Sequence, residues 1–192
     1  MPKWIITFIS ITLFAYSSLL YADEHKHEDE HEEHEAHVHG EAQLLVAVDG
    51  STLEIEFHSP AMNIVGFEHK PSNDAQERDV ESAIATLKQP NMLFSLPSAA
   101  KCESTSVEVK SPLAEHDEHE HKDDHEHEGD KEEHSDITGH YSFNCAAIAQ
   151  LNNIEITIFK QFPGTEAIEV QSISSQGQNK TELTPKQSTL NL

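Results

Sequence analysis

"AQLLVAVDGSTLEIEFH", residues 42–58, places apolar side chains at every second position on either side of Asp49-Gly50. Ala42, Leu44, Val46 and Val48 alternate with mostly more polar neighbours, and Leu53, Ile55 and Phe57 alternate with Glu54, Glu56 and His58. A period of two belongs to a half-buried strand, and Asp-Gly between two such runs is a strong hairpin signal. With Asp49-Gly50 as the loop, Val48 faces Ser51, Val46 faces Leu53, Leu44 faces Ile55 and Ala42 faces Phe57, so the large apolar residues share one face. A slip of one residue would set Val46 against Glu54, which burial forbids.

Outward from this hairpin the chain keeps the same character. Asn73 to Lys88 carries Val80, Ile84 and Leu87 three and four apart and is followed by Pro90, which predicts one amphipathic surface helix capped by Asn73 or Asp74. Strands are expected at Thr105 to Val109 and at Tyr141 to Cys145. A strand pair is expected at Ile154 to Phe159 and Ala167 to Ile173, joined by Pro163-Gly164, and the polar tail after Ser174 adds a short strand near Leu190. The expected fold is mainly β, a β-rich α+β arrangement. It is an antiparallel sheet or sandwich with one amphipathic helix and a disordered His-rich insertion.

The first 22 residues, MPKWIITFISITLFAYSSLLYA, have one Lys, a long apolar run and a small residue before an abrupt charged segment. That is the layout of a secretory signal peptide, with an uncleaved anchor as the alternative. The expected organisation is therefore a signal peptide at 1–22, a disordered His/Glu-rich tract at 23–36, and one β-rich domain at 37–192 with a mobile loop at 111–136. Cys102 and Cys145, the only cysteines, would form a disulfide in an oxidising compartment. The rival, a pair of thiolate metal ligands, lacks a second Cys near either one.

Acidic residues outnumber Lys plus Arg by 35 to 12. That field repels nucleic acid and anionic lipid and attracts cations. Two tracts, 23–39 and 115–134, are built almost wholly from His, Glu, Asp and Lys, and twelve of the fifteen histidines lie in them. With almost no apolar residues neither can offset its ordering entropy by burial, so both are expected to be mobile without a ligand. Imidazole nitrogen and carboxylate oxygen suit zinc and its first-row neighbours. His25, His27, His31, His34, His116, His119, His121, His125, His127 and His134 therefore form a set of weak, overlapping sites.

His27 to His31, HEDEH, satisfies the regular expression of zinc proteases, but it lacks the packed helix, remote ligand and walled cleft that such catalysis needs. No enzyme activity is expected. His37 and His39 differ from the tract because they continue the alternation of the first strand. In the register above, His58 lies across from Glu41 and diagonal to His39. His69, in Gly66-Phe67-Glu68-His69-Lys70-Pro71, and His140, before Cys145, complete the candidate set for an ordered metal site: His37, His39, His58, His69 and His140.

HVHGEAQLLVAVDGSTLEIEFHSPAMNIVGFEHKP, the acidic His insertion, GHYSFNC and IEITIFKQFPGTEAIEV together resemble the ZrgA-like periplasmic proteins of Gram-negative bacteria. The likeness covers nearly all of the chain beyond the signal segment. It implies a compact β-rich zinc-binding domain that assists a zinc ABC transporter in the periplasm, and it favours His37 and His39 as ligands, with His69 and His140 as further candidates. The expected function is capture of Zn2+ for high-affinity uptake, with zinc ions and a periplasmic zinc-binding protein or the transporter as partners. Donor type alone also admits copper or nickel, and hence a buffer or resistance protein. The solute-binding lobe pair of the transporter itself needs more residues than remain here.

Overall fold

The hairpin forms as two nine-residue strands, β1 (Glu41–Asp49) and β2 (Thr52–Pro60). The computed structural model describes residues 38–114 and 135–192. The N-terminal apolar segment, HEDEH, His37 and the ten tract histidines named as weak sites lie outside the described residues.

Parity holds in the hairpin, but its register is displaced by two. Asp49 pairs with Thr52, Val46 with Ile55 and Leu44 with Phe57, which makes Gly50-Ser51 the loop. Gly50 has φ 57°, and a positive φ at the first loop position is what a type II′ hairpin asks of glycine. A two-residue shift leaves every side chain on its expected face. It does move His58 opposite Gln43 rather than Glu41, and so away from the expected diagonal with His39.

β2 continues into a short helix, α1 (Ala61–Val65), which ends on the left-handed Gly66 at φ 83°. The expected amphipathic helix follows as α2 (Asp74–Leu87), whose Asn73 cap accepts from the backbone N–H groups of Ala75 and Gln76. Next come α3 (Pro90–Leu93), β3 (Phe94–Ser95), β4 (Cys102–Lys110) and β5 (Asp136–Cys145). The chain closes with β6 (Asn153–Ile156), α4 (Ile158–Gln161), β7 (Ala167–Ser174), β8 (Gly177–Leu183) and β9 (Thr189–Asn191).

Six strands form one sheet in the order β4-β5-β2-β1-β7-β8, and β3, β6 and β9 form a second. The protein is thus mainly β, as expected, with two departures. The expected pairing of Ile154–Phe159 with Ala167–Ile173 does not occur. The first strand stops at Ile156, because Ile158, Phe159 and Phe162 are all buried and only a helical turn brings that spacing to one side. β7 instead runs parallel to β1, from Glu41 against Ala167 to Ala47 against Ile173, so the large sheet is mixed rather than purely antiparallel.

One face of the large sheet is dry. Leu44, Leu53, Ile55, Phe57, Ile137, Tyr141, Ile168 and Val170 are at most 2% exposed, and they share a single cluster with Val80 and Leu87 of α2 and with Phe94, Ile154, Ile156 and Leu190 of the small sheet. Complete burial of one such side chain is worth about 1.5–3 kcal/mol. Cys102 and Cys145, directly opposite one another on β4 and β5, form the expected disulfide.

Within that core the Tyr141 ring meets Phe94 edge-on at 5.1 Å, while its hydroxyl is buried and has no hydrogen-bond partner among the described residues. Burial pushes the phenol's pKa well up, so the group stays neutral. A buried hydroxyl that makes no bond costs free energy, and Tyr141→Phe should therefore raise stability by about 1 kcal/mol in urea unfolding. A fall in the midpoint would show that the hydroxyl is bonded in solution.

Candidate metal site

Three segments far apart in sequence converge on one buried residue, Asn63 of α1, which is 3% exposed. Its Oδ1 accepts from the Gly40 N–H at 2.7 Å, and its Nδ2 donates to the Glu41 carbonyl at 2.8 Å and to Ser59 Oγ at 3.2 Å. The Gly40 carbonyl in turn accepts from the N–H groups of Glu166 at 2.7 Å and Ala167 at 3.0 Å. Gly164 lies so close that a Cβ there would sit 2.6 Å from the Asn63 carbonyl oxygen. The glycine of His-Val-His-Gly, the asparagine of Pro-Ala-Met-Asn and the glycine of Phe-Pro-Gly are therefore parts of one joint. Gly40 also has φ 91°, a conformation that side chains rarely adopt.

This joint presents His39. Its Nε2 lies 3.1 Å from Glu68 Oε1, and the Glu68 side chain keeps only 11% of its surface. Glu68 reaches that place because Gly66 ends α1 and Phe67, 9% exposed, anchors the next residue in the core. A largely buried carboxylate calls for donors or cations around it. Two donor atoms on a tetrahedral zinc with bonds near 2.0–2.1 Å stand about 3.3 Å apart, so the His39 and Glu68 pair nearly matches one edge of such a site.

His69 follows directly. Its ring stacks on Phe67 with centroids 5.1 Å apart, and its Nδ1 lies 2.8 Å from the Lys70 carbonyl oxygen. A carbonyl only accepts, so in the neutral ring the proton sits on Nδ1 and Nε2 carries the lone pair. A backbone acceptor holding one ring nitrogen so that the other faces a metal is the usual outer support of a histidine ligand.

His58 and His140 are placed elsewhere, on the open face of the large sheet. His140 on β5 is directly opposite Glu56 on β2, and His58 is two residues along from Glu56 on that same face. Of the five candidates, the structure thus sets His58 and His140 around one carboxylate and His39 beside another. His69 adjoins Glu68 in the chain, and His37 lies outside the described residues. Among the described residues no three His, Cys, Asp or Glu side chains already surround one point.

Neither Glu68 nor Asn63 stands out as a site residue in the sequence taken residue by residue. The available signal was the placement of Glu beside His directly after a Gly-Phe that ends a helix.

Farther along the open face, Lys180 lies 2.7 Å from Glu169 and holds its carboxyl below the usual range, first by hydrogen bonding to it and also by its charge.

Residues 36–192 match the sequence profile of the ZrgA family zinc uptake proteins. No match is found among curated proteins.

Proposed function

This chain belongs to the ZrgA family of zinc uptake proteins, and from that premise we propose that it is a periplasmic protein that captures Zn2+ and assists its high-affinity uptake by a zinc ABC transporter. The observation that carries the reading is the His39–Glu68 pair, 3.1 Å apart at the joint held by Asn63. His39, Glu68 and His69 would supply an imidazole nitrogen, a carboxylate oxygen and a second imidazole nitrogen, and His37 would supply the fourth donor. Nitrogen and oxygen donors in that ratio suit zinc, copper and nickel alike, and family membership is what selects zinc among them.

The export reading draws on the N-terminal apolar segment and on the Cys102–Cys145 disulfide, a bond that persists in oxidising compartments. The tracts, rich in His and acidic residues, would collect ions weakly and quickly, while the joint holds one ion firmly. Ligands on a framework of strands and a buried asparagine lose less freedom on binding than those of an unstructured tract.

Calorimetric titration of the protein with zinc tests this. His39→Ala and His69→Ala should each weaken the tightest site by roughly tenfold or more, the range seen when support of a metal site is removed. Deletion of 115–134 should remove weak sites only. An undiminished tight site in the His39→Ala, His69→Ala double variant would sink the assignment, and loss of the tight site in the deletion would sink the division of labour.

A further inference from the structure

We propose that Glu56, His58 and His140 form a second site for a first-row divalent transition ion, on the open face of the large sheet and separate from the joint at Asn63. The proposal rests on the donors themselves and not on the uptake reading. Glu56 sits between the two imidazoles: its Oε1 lies 2.5 Å from His58 Nε2, and its Oε2 lies 3.8 Å from His140 Nδ1. The two rings meet edge to face with centroids 6.5 Å apart.

The backbone fixes these positions. Glu56 and His140 are a paired position in the β2–β5 ladder, and alternation puts His58 on the same face one step along the strand. All three side chains are between 36% and 45% exposed, so an ion reaches them from solvent and their outer torsions can adjust. Two imidazoles on one tetrahedral zinc have centroids about 5 Å apart, which asks the observed pair to close by about 1.5 Å. The ion would take the place of the hydrogen shared by His58 and Glu56, and these two donors would part to the edge of the coordination tetrahedron.

A second carboxylate lies nearby but is already engaged. Glu108 stands opposite His140 on the other side, on β4, and its own carboxylate is held by Lys110 at 3.0 Å. That leaves Glu56 as the carboxylate within reach of both rings. Two nitrogens and one oxygen with the fourth position open to water suit zinc, copper or nickel. They do not suit magnesium or calcium, which ask for oxygen ligands. An open position at the surface gives an exchangeable site, from which an ion can be passed to another protein.

Carbethoxylation of histidines by diethylpyrocarbonate, mapped by mass spectrometry on the full-length protein with added zinc chloride, reads this site residue by residue. His58 and His140 are expected to become protected together, at one zinc concentration. Glu56→Gln and His140→Ala should each raise the concentration that protects His58 by roughly tenfold or more. The His39→Ala, His69→Ala double variant should leave that protection in place, and its loss there would overturn the separateness of the two sites. The site itself is overturned if His58 stays reactive at saturating zinc, or if it is protected at the same concentration when His140 is absent. Unchanged thermal unfolding of each variant shows that the fold has been kept.

Discussion

Replacing Cys102 and Cys145 together by serine should lower stability by about 4 kcal/mol, the chain-entropy value for a closed loop of this size. The bond joins residues 43 apart in sequence, and the loop it closes contains the acidic His insertion. A long polar insertion adds many conformations to the unfolded chain, and the cross-link removes a large share of them. The bond also sits where the sheet is least able to hold itself. β4 is an edge strand, and its side chains are exposed apart from the half-buried Cys102, Val107 and Val109. With a urea slope of about 2 kcal/mol per molar, the midpoint should fall by about 2 M, and reduction of the parent protein should reproduce the fall. A loss below about 1 kcal/mol would mean that the β4–β5 ladder alone holds the insertion's base.

Asn63→Ala should cost about 3 kcal/mol and should also weaken the tightest zinc site. The side chain serves the Gly40 N–H, the Glu41 carbonyl and Ser59 Oγ, and its removal leaves the two backbone groups without their partner. Each buried polar group stranded in this way costs about 1–3 kcal/mol. Stability and zinc affinity read different consequences of the one change. Unfolding reports the lost bonds, whereas titration reports whether the turn that carries His39 has shifted. Full zinc affinity in a destabilised Asn63→Ala protein would show that the joint supports the fold and not the site.

Much of the β1–β2 hairpin is legible from alternation alone, because burial of one face tolerates no odd shift. The even shift of two was invisible for the same reason: it returns every side chain to its face, and only the loop distinguishes Asp49-Gly50 from Gly50-Ser51. That difference was enough to part His58 from His39. β8, GQNKTEL, has no apolar period because it is an edge strand whose residues before Leu183 are almost all exposed. The helical turn at Ile158 could not be told from a strand by hydrophobicity, since Ile154, Ile156 and Ile158 alternate with Glu155 and Thr157 as a strand would. Residue type alone points to the metal-site candidates, yet their division into two places follows from strand pairing and from a buried asparagine. Asn63 declares itself only when Gly40 and Gly164 arrive beside it.

The parallel pairing of β1 with β7 also dictates an order of events. Glu41 meets its partner only at Ala167, so the open edge of the β1–β2 hairpin stays unpaired until the last third of the chain is available. Contacts that distant slow folding, and an apolar strand with a bare edge invites pairing with another chain meanwhile. A protein threaded through a membrane from its N-terminus would emerge with this edge first. Chain release, rather than hairpin formation, would then set the moment at which the sheet closes, and with it the moment at which Gly40, Asn63 and Gly164 first stand together.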